Sequence, residues 1–301
     1  MLPIYHTHGL FVACNLLALV GGKMIFLPKF DADKALSFLP QATTMMGVPT
    51  FYTRLLNEER FTREASQHMR LFISGSAPLL AETHKSFAAR TGKQILERYG
   101  MTETNMCTSN PYDGERIAGT VGVPLPGVEL RVSDAKTGKS VPDGEIGIIE
   151  LKGDNVFTGY WQMPEKTMES FRDDGYFITG DMARIDEHGY VVIVGRDKDL
   201  IISGGLNVYP KEIESMVDEL EGVTESAVIG VPHPDFGEAV VAIIVAADKT
   251  LSEESVMAFL ADKMAKFKQP KAVFFVEALP RNTMGKVQKV TLRKEHKELF
   301  V

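Results

Sequence analysis

The spacing of apolar residues in the first hundred positions predicts strands that alternate with helices. Short apolar runs bounded by polar, Pro or Gly residues predict strands at 24–28, 43–48, 70–74 and 95–99. Helices are predicted at 31–39, capped by the Asp31 carboxylate, from Pro49 onward, and at 79–90. The apolar stretch 10–20 predicts a further, buried helix. This alternation is typical of a parallel, doubly wound α/β sheet.

The pattern changes between residues 119 and 195. Short strands, such as 128–132 and 146–151, are separated there by turns rich in Pro, Gly and Asp, which is typical of antiparallel β structure. Beyond Arg196 a second α/β pattern begins, with helices that start near Pro210 and Ser252 and strands at 226–231, 239–246 and 271–276. We therefore divide the chain into residues 1–196, comprising an α/β part (1–117) and a mainly β part (118–196), and a small domain at 197–301.

Composition narrows the class of protein. The 301 residues are 44% hydrophobic and 24% charged, which is ordinary for a soluble globular protein. A net charge of -7 argues against a nucleic-acid binder of the basic-patch kind. The two cysteines are too few for a disulfide framework, and no apolar run is long enough to span a bilayer. We expect neither a nucleic-acid nor a membrane partner, and the sequence leaves the oligomeric state open.

The stretch 94–105 carries the first candidate chemistry. It begins apolar and turns polar at Gly100, as expected where a strand ends and a ligand binds in an α/β sheet. Tyr99 offers a ring for stacking, the Thr102 hydroxyl suits a phosphate oxygen, and the Glu103 carboxylate suits Mg²⁺. A nucleotide triphosphate would satisfy all three, although a solvated loop at the strand end is the alternative.

Five stretches stand in an order that resembles the acyl- and aryl-CoA synthetase, adenylation-domain and luciferase superfamily of adenylate-forming enzymes. They are Pro3–Gly9, Tyr99–Glu103, Tyr176–Asp181, Gly195–Gly205 and Pro280–Lys286. The sequence Glu-Arg-Tyr-Gly-Met-Thr-Glu-Thr-Asn-Met at 97–106 is similar to malonyl-CoA synthetases in particular. The resemblance implies an α/β fold class: a remnant of a doubly wound large domain plus a β-barrel-like subdomain, followed by a small mobile α/β C-terminal domain.

The resemblance also implies ATP, Mg²⁺ and coenzyme A as substrates and metal. Lys286 would bridge the substrate carboxylate and the α-phosphate, His6 would gate the acyl carboxylate, and Lys198 would be the hinge of the small domain. Thr102 and Glu103 would act in catalysis, with Glu103 as the metal ligand. The nucleotide would be held by Gly75, Ser76, Ala77, Tyr99, Gly100, Asp181 and Arg196, and coenzyme A by Ser203, Gly204 and Gly205. The role of His8 is open.

Simpler roles compete with several of these assignments. Gly75, Ser76 and Ala77 could form a plain tight turn. Lys286 could be a solvated loop lysine, Asp181 a turn aspartate, and Arg196 a member of a surface ion pair.

Arg98 departs from the family, in which many members have a small residue before the tyrosine. A guanidinium in the acyl pocket needs a partner, because burying an unpaired cation is costly. A dicarboxylic acid would supply that partner through a bidentate contact. The alternatives are that Arg98 pairs with Glu97 or Glu103, or that Arg116 binds the distal carboxylate instead.

The family's glycine-rich phosphate loop is absent from this sequence, so the resemblance implies that Met1 begins inside the large domain. The leading prediction is an ATP-dependent acid-thiol ligase that activates malonate or methylmalonate and transfers it to CoA. Alternatives are another acyl-CoA synthetase, an adenylation enzyme that loads a carrier protein, and a truncated, non-catalytic nucleotide-binding remnant. We expect a cytoplasmic location, with an organellar one open because a targeting segment would precede Met1.

Overall fold

A computed structural model describes residues 1–247, 250–282 and 285–300. Two units are distinguished by their internal packing: the first holds Met1–Thr179 and Ala183–Ile193, and the second holds Gly180–Met182 with the described residues from Val194 onward. The division at residues 196 and 197 stays a prediction. Each unit is described separately below.

The strands and helices have the following bounds. The strands are β1 (Thr44–Gly47), β2 (Leu71–Ser74), β3 (Ile95–Met101), β4 (Asn105–Ser109), β5 (Val123–Pro124), β6 (Glu129–Ser133), β7 (Gly147–Lys152), β8 (Phe177–Ile185), β9 (Val191–Arg196), β10 (Ile201–Ser203), β11 (Leu206–Val208), β12 (Val223–His233), β13 (Gly237–Ala246) and β14 (Ala272–Phe275). The α-helices are α1 (Leu16–Leu19), α2 (Ala32–Phe38), α3 (Pro49–Leu56), α4 (Arg63–Ser66), α5 (Ala81–Thr91), α6 (Pro164–Glu169), α7 (Pro210–Val217), α8 (Glu253–Ala261) and α9 (Lys289–His296). A π-helix at His8–Asn15 precedes α1, and 3₁₀ turns lie at Leu39–Gln41 and Asp197–Asp199.

The α/β part of the first unit is built on a five-stranded sheet in the order β1-β2-β3-β4-β5. The first three strands are parallel, and β4 and β5 join them antiparallel. Tyr52, Phe72 and Phe87 pack edge to face in the core between the sheet and the helices, and the Tyr52 hydroxyl donates to the Ile73 carbonyl. This rigid layer fixes the carboxyl ends of β2 and β3, where the candidate site lies.

The helix starts follow from the sequence. The Asp31 carboxylate accepts a hydrogen bond of 2.9 Å from the Lys34 N–H at the start of α2, and Pro49 opens α3. At α8, Ser252 and Ser255 form a reciprocal capping box. These predictions are confirmed.

The mainly β part forms a four-stranded sheet in the order β6-β7-β8-β9. The prediction of a β-barrel-like subdomain is wrong in this respect, because among the described strands β6 and β9 do not pair to close a barrel. The fully buried Glu150 carboxylate on β7 accepts from Arg131 at 2.8 Å and from Arg172 at 2.7 Å. Two cations offset the cost of burying this charge.

The second unit is a sheet in the order β11-β10-β13-β12, with β14 parallel to β13. The alternating side chains of β12 and β13 form two cores. Val228, Val240 and Ala242 belong to the core that includes residues of α7 and α8, whereas Ile229 and Val241 belong to the core that includes Leu292 of α9. This unit has the mixed α/β architecture that the sequence predicts.

Two local predictions fail in the first unit. Residues 24–28 form no strand, and no ladder partner for them occurs in the described part of the chain. Residues 10–20 are largely helical, as predicted, but not buried: Leu19 is 84% and Val20 68% exposed. Apolar composition predicts a helix here but does not say whether another segment covers it. Throughout the described residues, no helix is both long and apolar enough to cross a lipid bilayer.

Candidate active site

The Tyr99–Glu103 segment bends sharply at Gly100. The register of β3 against β4 shifts between Tyr99 and Gly100, and a Cβ atom at Gly100 would lie 2.0 Å from the carbonyl oxygen of Asn105. Only glycine fits this close approach. The bend directs the chain from the buried strand into an open turn, where Thr102 is exposed and Glu103 is half-buried.

The N-terminal segment reaches the same place. The Thr7 hydroxyl donates to that of Thr102 over 3.5 Å. His8 is 4% exposed, and its Nδ1 lies 3.0 Å from the Ser76 hydroxyl oxygen. The backbone N–H of His8 donates to Nδ1 of His6 over 3.4 Å. The structure thus brings three predicted segments, around residues 6, 76 and 102, together within the first unit.

Gly75 and Ser76 lie between β2 and α5 in an unusual conformation. A Cβ atom at Gly75 would sit 3.4 Å from the His8 ring and 3.5 Å from the Arg98 carbonyl oxygen. Ser76 has a φ of 71°, in the left-handed region that non-glycine residues rarely adopt. A plain tight turn does not account for the contact of Ser76 with a buried histidine. Ala77 follows, half-buried.

Arg98 projects from β3 on the side of the sheet that carries Leu96. Its Nε donates to the Ser109 hydroxyl over 3.2 Å, and that hydroxyl donates to the Asn110 carbonyl over 2.7 Å. Within residues 1–247, 250–282 and 285–300, no carboxylate lies within 4.0 Å of the guanidinium. Burial lowers the pKa of Arg98, and no neighbouring carboxylate offsets that effect. The alternative pairing with Glu97 or Glu103 is therefore not present.

Arg116, the weaker candidate, is engaged elsewhere. Its guanidinium donates to three backbone carbonyl oxygens, those of Pro111 at 3.1 Å, Gln94 at 2.8 Å and Tyr112 at 3.0 Å. These bonds hold the loop after β4 in place. The structure gives Arg116 a loop-binding role.

The pKa of His8 is lowered to about 4, first because the imidazole is buried and then because His6 and Arg98 add positive charge nearby. His8 is therefore neutral at pH 7, and its contact with Ser76 is a hydrogen bond between two uncharged groups. Sequence reasoning left His8 without a role. His8 is the first residue of a helix that is partly exposed, and nothing in the local sequence indicates that this residue is buried.

Glu103 is held from the side by Tyr160, whose hydroxyl donates to Oε1 over 3.1 Å. Burial and the adjacent Glu103 carboxylate raise the pKa of Tyr160. Among the described residues, no cluster of three or more His, Cys, Asp or Glu side chains could hold a metal ion. A single carboxylate next to a threonine hydroxyl suits a cation bound mainly through substrate phosphates and water, as Mg²⁺ usually is.

In the second unit, Asp181 and Arg196 form an ion pair with 2.8 Å between Oδ1 and Nε. Asp181 is 4% exposed, so it is not a solvated turn aspartate. Arg196 is half-exposed and lies at the end of β9, from which its positive charge pairs with the Asp181 carboxylate.

Lys286 lies in a short turn after Asn282. The Asn282 side-chain oxygen accepts from the Lys286 backbone N–H at 3.0 Å, and Gly285 has a left-handed φ of 79°. The turn therefore fixes the main chain at Lys286 independently of its side chain. Thr283 and Met284 of the same motif lie outside the described residues.

Lys198 is exposed in the 3₁₀ turn Asp197–Asp199. Ser203 is buried at the end of β10, and Gly204 and Gly205 turn the chain into β11 with φ values of 58° and 78°. Apart from its chain neighbours, no described residue has a heavy atom within 4 Å of a Cβ placed on Gly205, so this glycine is needed for its backbone conformation and leaves open space beside it.

Comparison with known proteins identifies the family. The sequence pattern of the AMP-binding enzyme family matches residues 1–161, and that of the AMP-binding enzyme C-terminal domain matches residues 212–286. The chain belongs to the AMP-binding enzyme family. The resemblance predicted from its motifs is confirmed, and with it the mixed α/β fold with a C-terminal domain.

Individual members of the family are similar over nearly the whole chain. A malonate–CoA ligase of Arabidopsis thaliana is 39% identical over 97% of this chain and 53% of its own length. A long-chain-fatty-acid–CoA ligase of Yersinia pestis is 38% identical over 98% of this chain and 53% of its own. ATP-bound MatB from Rhodopseudomonas palustris is 64% identical with a TM-score of 0.97, over 100% of this chain and 60% of MatB. The chain spans about half the length of the curated relatives that it matches.

Proposed function

We propose that this AMP-binding enzyme is an ATP-dependent acid-thiol ligase that activates malonate or methylmalonate and transfers it to coenzyme A. Its relatives include a malonate–CoA ligase and MatB, but also long-chain-fatty-acid–CoA ligases at nearly the same identity. Family membership therefore supports acid activation, whereas the acid has to be argued from the site. The observation that carries the choice is the half-buried guanidinium of Arg98, which has no carboxylate partner among the described residues.

Arg98 lies on a cleft of about 270 Å³. Among the described residues that line this cleft, Arg98 carries the only charge, and its neighbours include Leu71, Ile73 and Leu96. A guanidinium in an apolar setting favours an anionic ligand, since a bidentate carboxylate offsets the cost of its desolvation. The distal carboxylate of a small dicarboxylic acid meets this requirement, and the methyl tail of a fatty acid does not.

The first half-reaction joins the acid to AMP. An oxygen of the proximal carboxylate attacks the α-phosphorus of ATP, the α–β phosphoanhydride bond breaks, and pyrophosphate leaves with the bonding electrons. Lys286 would neutralise charge on both the carboxylate and the α-phosphate, and Asp181 would accept from the ribose hydroxyls. Tyr99 would stack on the adenine, and Gly75, Ser76, Ala77 and Gly100 would let the nucleotide approach the backbone.

Mg²⁺, when bound, would neutralise the phosphates. Glu103 would hold it, and the Thr102 hydroxyl would donate to a phosphate oxygen, as the composition of this turn allows. His6 would close the front of the acyl carboxylate. The neutral His8, fixed by Ser76, would present an uncharged wall at that end of the pocket.

The second half-reaction forms the thioester. The thiol of coenzyme A loses its proton to solvent, its sulfur attacks the acyl carbonyl carbon, the bond from that carbon to the AMP oxygen breaks, and AMP leaves. Ser203, Gly204 and Gly205 would line the path of the phosphopantetheine, because both glycines are left-handed and Gly205 leaves open space beside the backbone. Lys198 would be the hinge about which the small domain rotates between the two half-reactions.

A fatty-acid ligase is the second candidate, favoured by the apolar walls of the cleft and by relatives such as the Yersinia pestis enzyme. A carrier-protein-loading enzyme and a non-catalytic nucleotide-binding remnant are further alternatives. Pyrophosphate release by the purified chain separates the malonate ligase, the fatty-acid ligase and the remnant, and formation of a thioester with free coenzyme A separates the ligases from a carrier-loading enzyme. Release with malonate supports the proposal, release with a long-chain acid alone supports the second candidate, and binding of ATP without release supports the remnant.

The substitution Arg98→Ala tests the assignment of the acid. It should lower kcat/KM for malonate, while kcat/KM for butyrate stays level or rises because the unpaired cation is gone. The unaltered protein should prefer malonate to butyrate by up to about 10⁴-fold, because a site built around a polar partner rejects analogues that lack it. Arg54→Ala, on the exposed side of α3, is the control and should change neither value. Equal losses with both acids on Arg98→Ala would make Arg98 structural and remove the support for malonate.

A further inference from the structure

The segment 155–160 forms three hydrogen bonds with the turn that carries Glu103. The Asn155 side-chain amide donates to the Thr104 carbonyl over 2.8 Å, and the Phe157 N–H donates to the Glu103 carbonyl over 2.7 Å. The Tyr160 hydroxyl then donates to the Glu103 carboxylate, with 3.1 Å to Oε1. Two bonds thus fix the main chain of the turn, and the third fixes the side chain of Glu103.

Tyr160 itself is held from several sides. Its backbone N–H donates to the Thr167 hydroxyl over 3.0 Å, and its ring lies 4.8 Å from that of Phe157 at an angle of 74°. The Lys166 ammonium lies 4.4 Å from the centre of the Tyr160 ring. At Gly159, a Cβ atom would come within 2.6 Å of the Thr167 side chain, so the residue before Tyr160 has to be glycine for this approach. These contacts restrain the half-buried ring of Tyr160.

The bond has a defined direction. An ionised carboxylate only accepts, and a phenol is protonated at neutral pH, so Tyr160 is the donor. Oε1 of Glu103 is thereby engaged. Among the described residues, Oε2 makes no hydrogen bond or ion pair. The carboxylate therefore has one oxygen that is held in place and one that is open to a ligand.

We propose that Tyr160 is a positioning residue that orients Glu103 for a divalent cation bound together with the nucleotide. The proposal rests on the metal-binding role proposed for Glu103. Partners that hydrogen-bond a metal ligand orient it and typically change metal affinity by about 10- to 100-fold when they are removed. A pre-oriented carboxylate also loses less rotamer freedom on binding.

Tyr160→Phe is the substitution of choice, since it removes only the hydroxyl and keeps the contacts of the ring with Phe157 and Lys166. The matched control is Tyr176→Phe. Tyr176 also donates its hydroxyl to a glutamate, with 2.8 Å to Oε2 of Glu129, and it also lies under a cation, the Arg131 guanidinium at 3.9 Å. The two substitutions are chemically the same, and only one touches Glu103.

The measurement is binding of Mn²⁺ to the protein with an ATP analogue whose α–β bridge is a methylene group, followed by electron paramagnetic resonance of the free ion. Tyr160→Phe should raise the Kd for Mn²⁺ about 10-fold, at the lower end for such partners because Glu103 is only half-buried. Tyr176→Phe should leave the Kd unchanged. Glu103→Gln, measured alongside, should weaken Mn²⁺ binding more than either tyrosine substitution.

The outcomes separate the two proposals. If Glu103→Gln abolishes Mn²⁺ binding and Tyr160→Phe leaves the Kd unchanged, the role of Tyr160 is overturned and that of Glu103 stands. If Glu103→Gln binds Mn²⁺ as tightly as the unaltered chain, or the unaltered chain binds no Mn²⁺ with the nucleotide, both roles are overturned. Equal weakening by Tyr160→Phe and Tyr176→Phe would indicate a general loss of stability and would also overturn the role of Tyr160.

Discussion

His8 and Ser76 are 68 positions apart in the sequence, yet the His8 Nδ1 atom lies 3.0 Å from the Ser76 hydroxyl oxygen. The contact is made by a histidine that is 4% exposed and by a serine in the left-handed region, with a φ of 71°. A left-handed non-glycine residue costs roughly 1–2 kcal/mol, and such strain is concentrated at functional sites. The contact ties the N-terminal segment to the end of β2.

This burial makes the stability of the first unit depend on the protonation of His8. The pKa of His8 is about 4 in the folded protein, against 6.5 for a free histidine. Between these pH values the unfolded chain binds more protons, so the free energy of unfolding falls as the pH drops from 6.5 to 4. The full loss is about 3 kcal/mol. Thermal melts at pH 7.5 and 5.0 should show a smaller drop for His8→Gln than for the unaltered chain.

His188→Gln is the control for this experiment, because His188 is exposed, with 65% of its side chain accessible. It should melt with the same pH dependence as the unaltered chain. If His8→Gln also kept the full pH dependence, His8 would not be buried in its neutral form.

The protonation of Asp218, in the second unit, changes stability with the opposite pH dependence. Burial raises its pKa to about 6 from 3.8, although Lys211 and a 2.7 Å hydrogen bond from Ser226 favour the charged form. The folded state therefore binds more protons than the unfolded state between pH 3.8 and 6, and stability is lost as the pH rises through that window. Asp218→Asn keeps an oxygen that accepts from Ser226 and should stabilise the unit by about 3 kcal/mol at pH 7.5.

Denaturant unfolding at two pH values checks this prediction. The advantage of Asp218→Asn should shrink toward zero near pH 4, where the native aspartate is also neutral. Asp235→Asn, at an exposed aspartate of the same unit, should give no advantage at either pH. A variant Asp218→Asn that is less stable than the unaltered chain at pH 7.5 would show that the charged form is the stabilising one.

The elements that the sequence predicts well have local causes. The Asp31 cap, Pro49 and the Ser252 cap each fix a helix start through atoms within four residues, and the continuous apolar runs of β12 and β13 reflect burial on both faces of one sheet. The stretches 10–20 and 24–28 were predicted wrongly in burial or in type, because those properties depend on which other segments pack against them. Local pattern carries no information on that point.

The candidate site shows the same division. Tyr99, Thr102 and Glu103 lie within five consecutive residues at the end of β3 and the turn after it, so a motif predicts them as a group. The hydrogen bond between Tyr160 and Glu103 spans 57 positions, and that between Arg98 and Ser109 spans 11 across a β-bulge. Such pairs follow from the register of strands and loops, which no single stretch of sequence fixes. The engagement of Arg116 by three carbonyl oxygens was likewise invisible in the sequence.

Lys286→Ala should nearly abolish adenylate formation, because the cation proposed to bridge the carboxylate and the α-phosphate is lost. The turn should survive, since the Lys286 backbone N–H makes the bond to Asn282. Unfolding free energy should stay within about 0.5 kcal/mol of the unaltered chain, as for other substitutions outside the core. Exchange of labelled pyrophosphate into ATP measures the first half-reaction, and thioester formation from a preformed acyl-adenylate measures the second.

Lys297→Ala is the control for Lys286, because Lys297 is exposed, with 64% of its side chain accessible. It should leave both half-reactions unchanged. The second half-reaction should survive Lys286→Ala better than the first. Equal losses in the two would contradict the role assigned to Lys286.

Lys198 is flanked by two anchored residues of the second unit. Arg196 pairs with Asp181 at 2.8 Å, and Asp199 pairs with Arg293 at 3.0 Å, so Asp197 and Lys198 are the two residues between these ion pairs. Proline fixes φ near -65° and also restricts the residue before it. A hinge that has to adopt two sets of dihedral angles would be held in one of them by Lys198→Pro.

We therefore expect Lys198→Pro to keep adenylate formation and to slow thioester formation by about 100-fold, the loss that a small misplacement of reacting groups produces. Lys198→Ala removes the same side chain but keeps the backbone free, so it should transfer the acyl group at the normal rate. Stopped-flow measurement of each half-reaction in both variants distinguishes the two effects. If Lys198→Ala is as slow as Lys198→Pro, the side chain matters rather than the rotation. If Lys198→Pro turns over normally, the hinge lies elsewhere, because a locked dihedral angle at this position would then have no effect on the exchange between half-reactions.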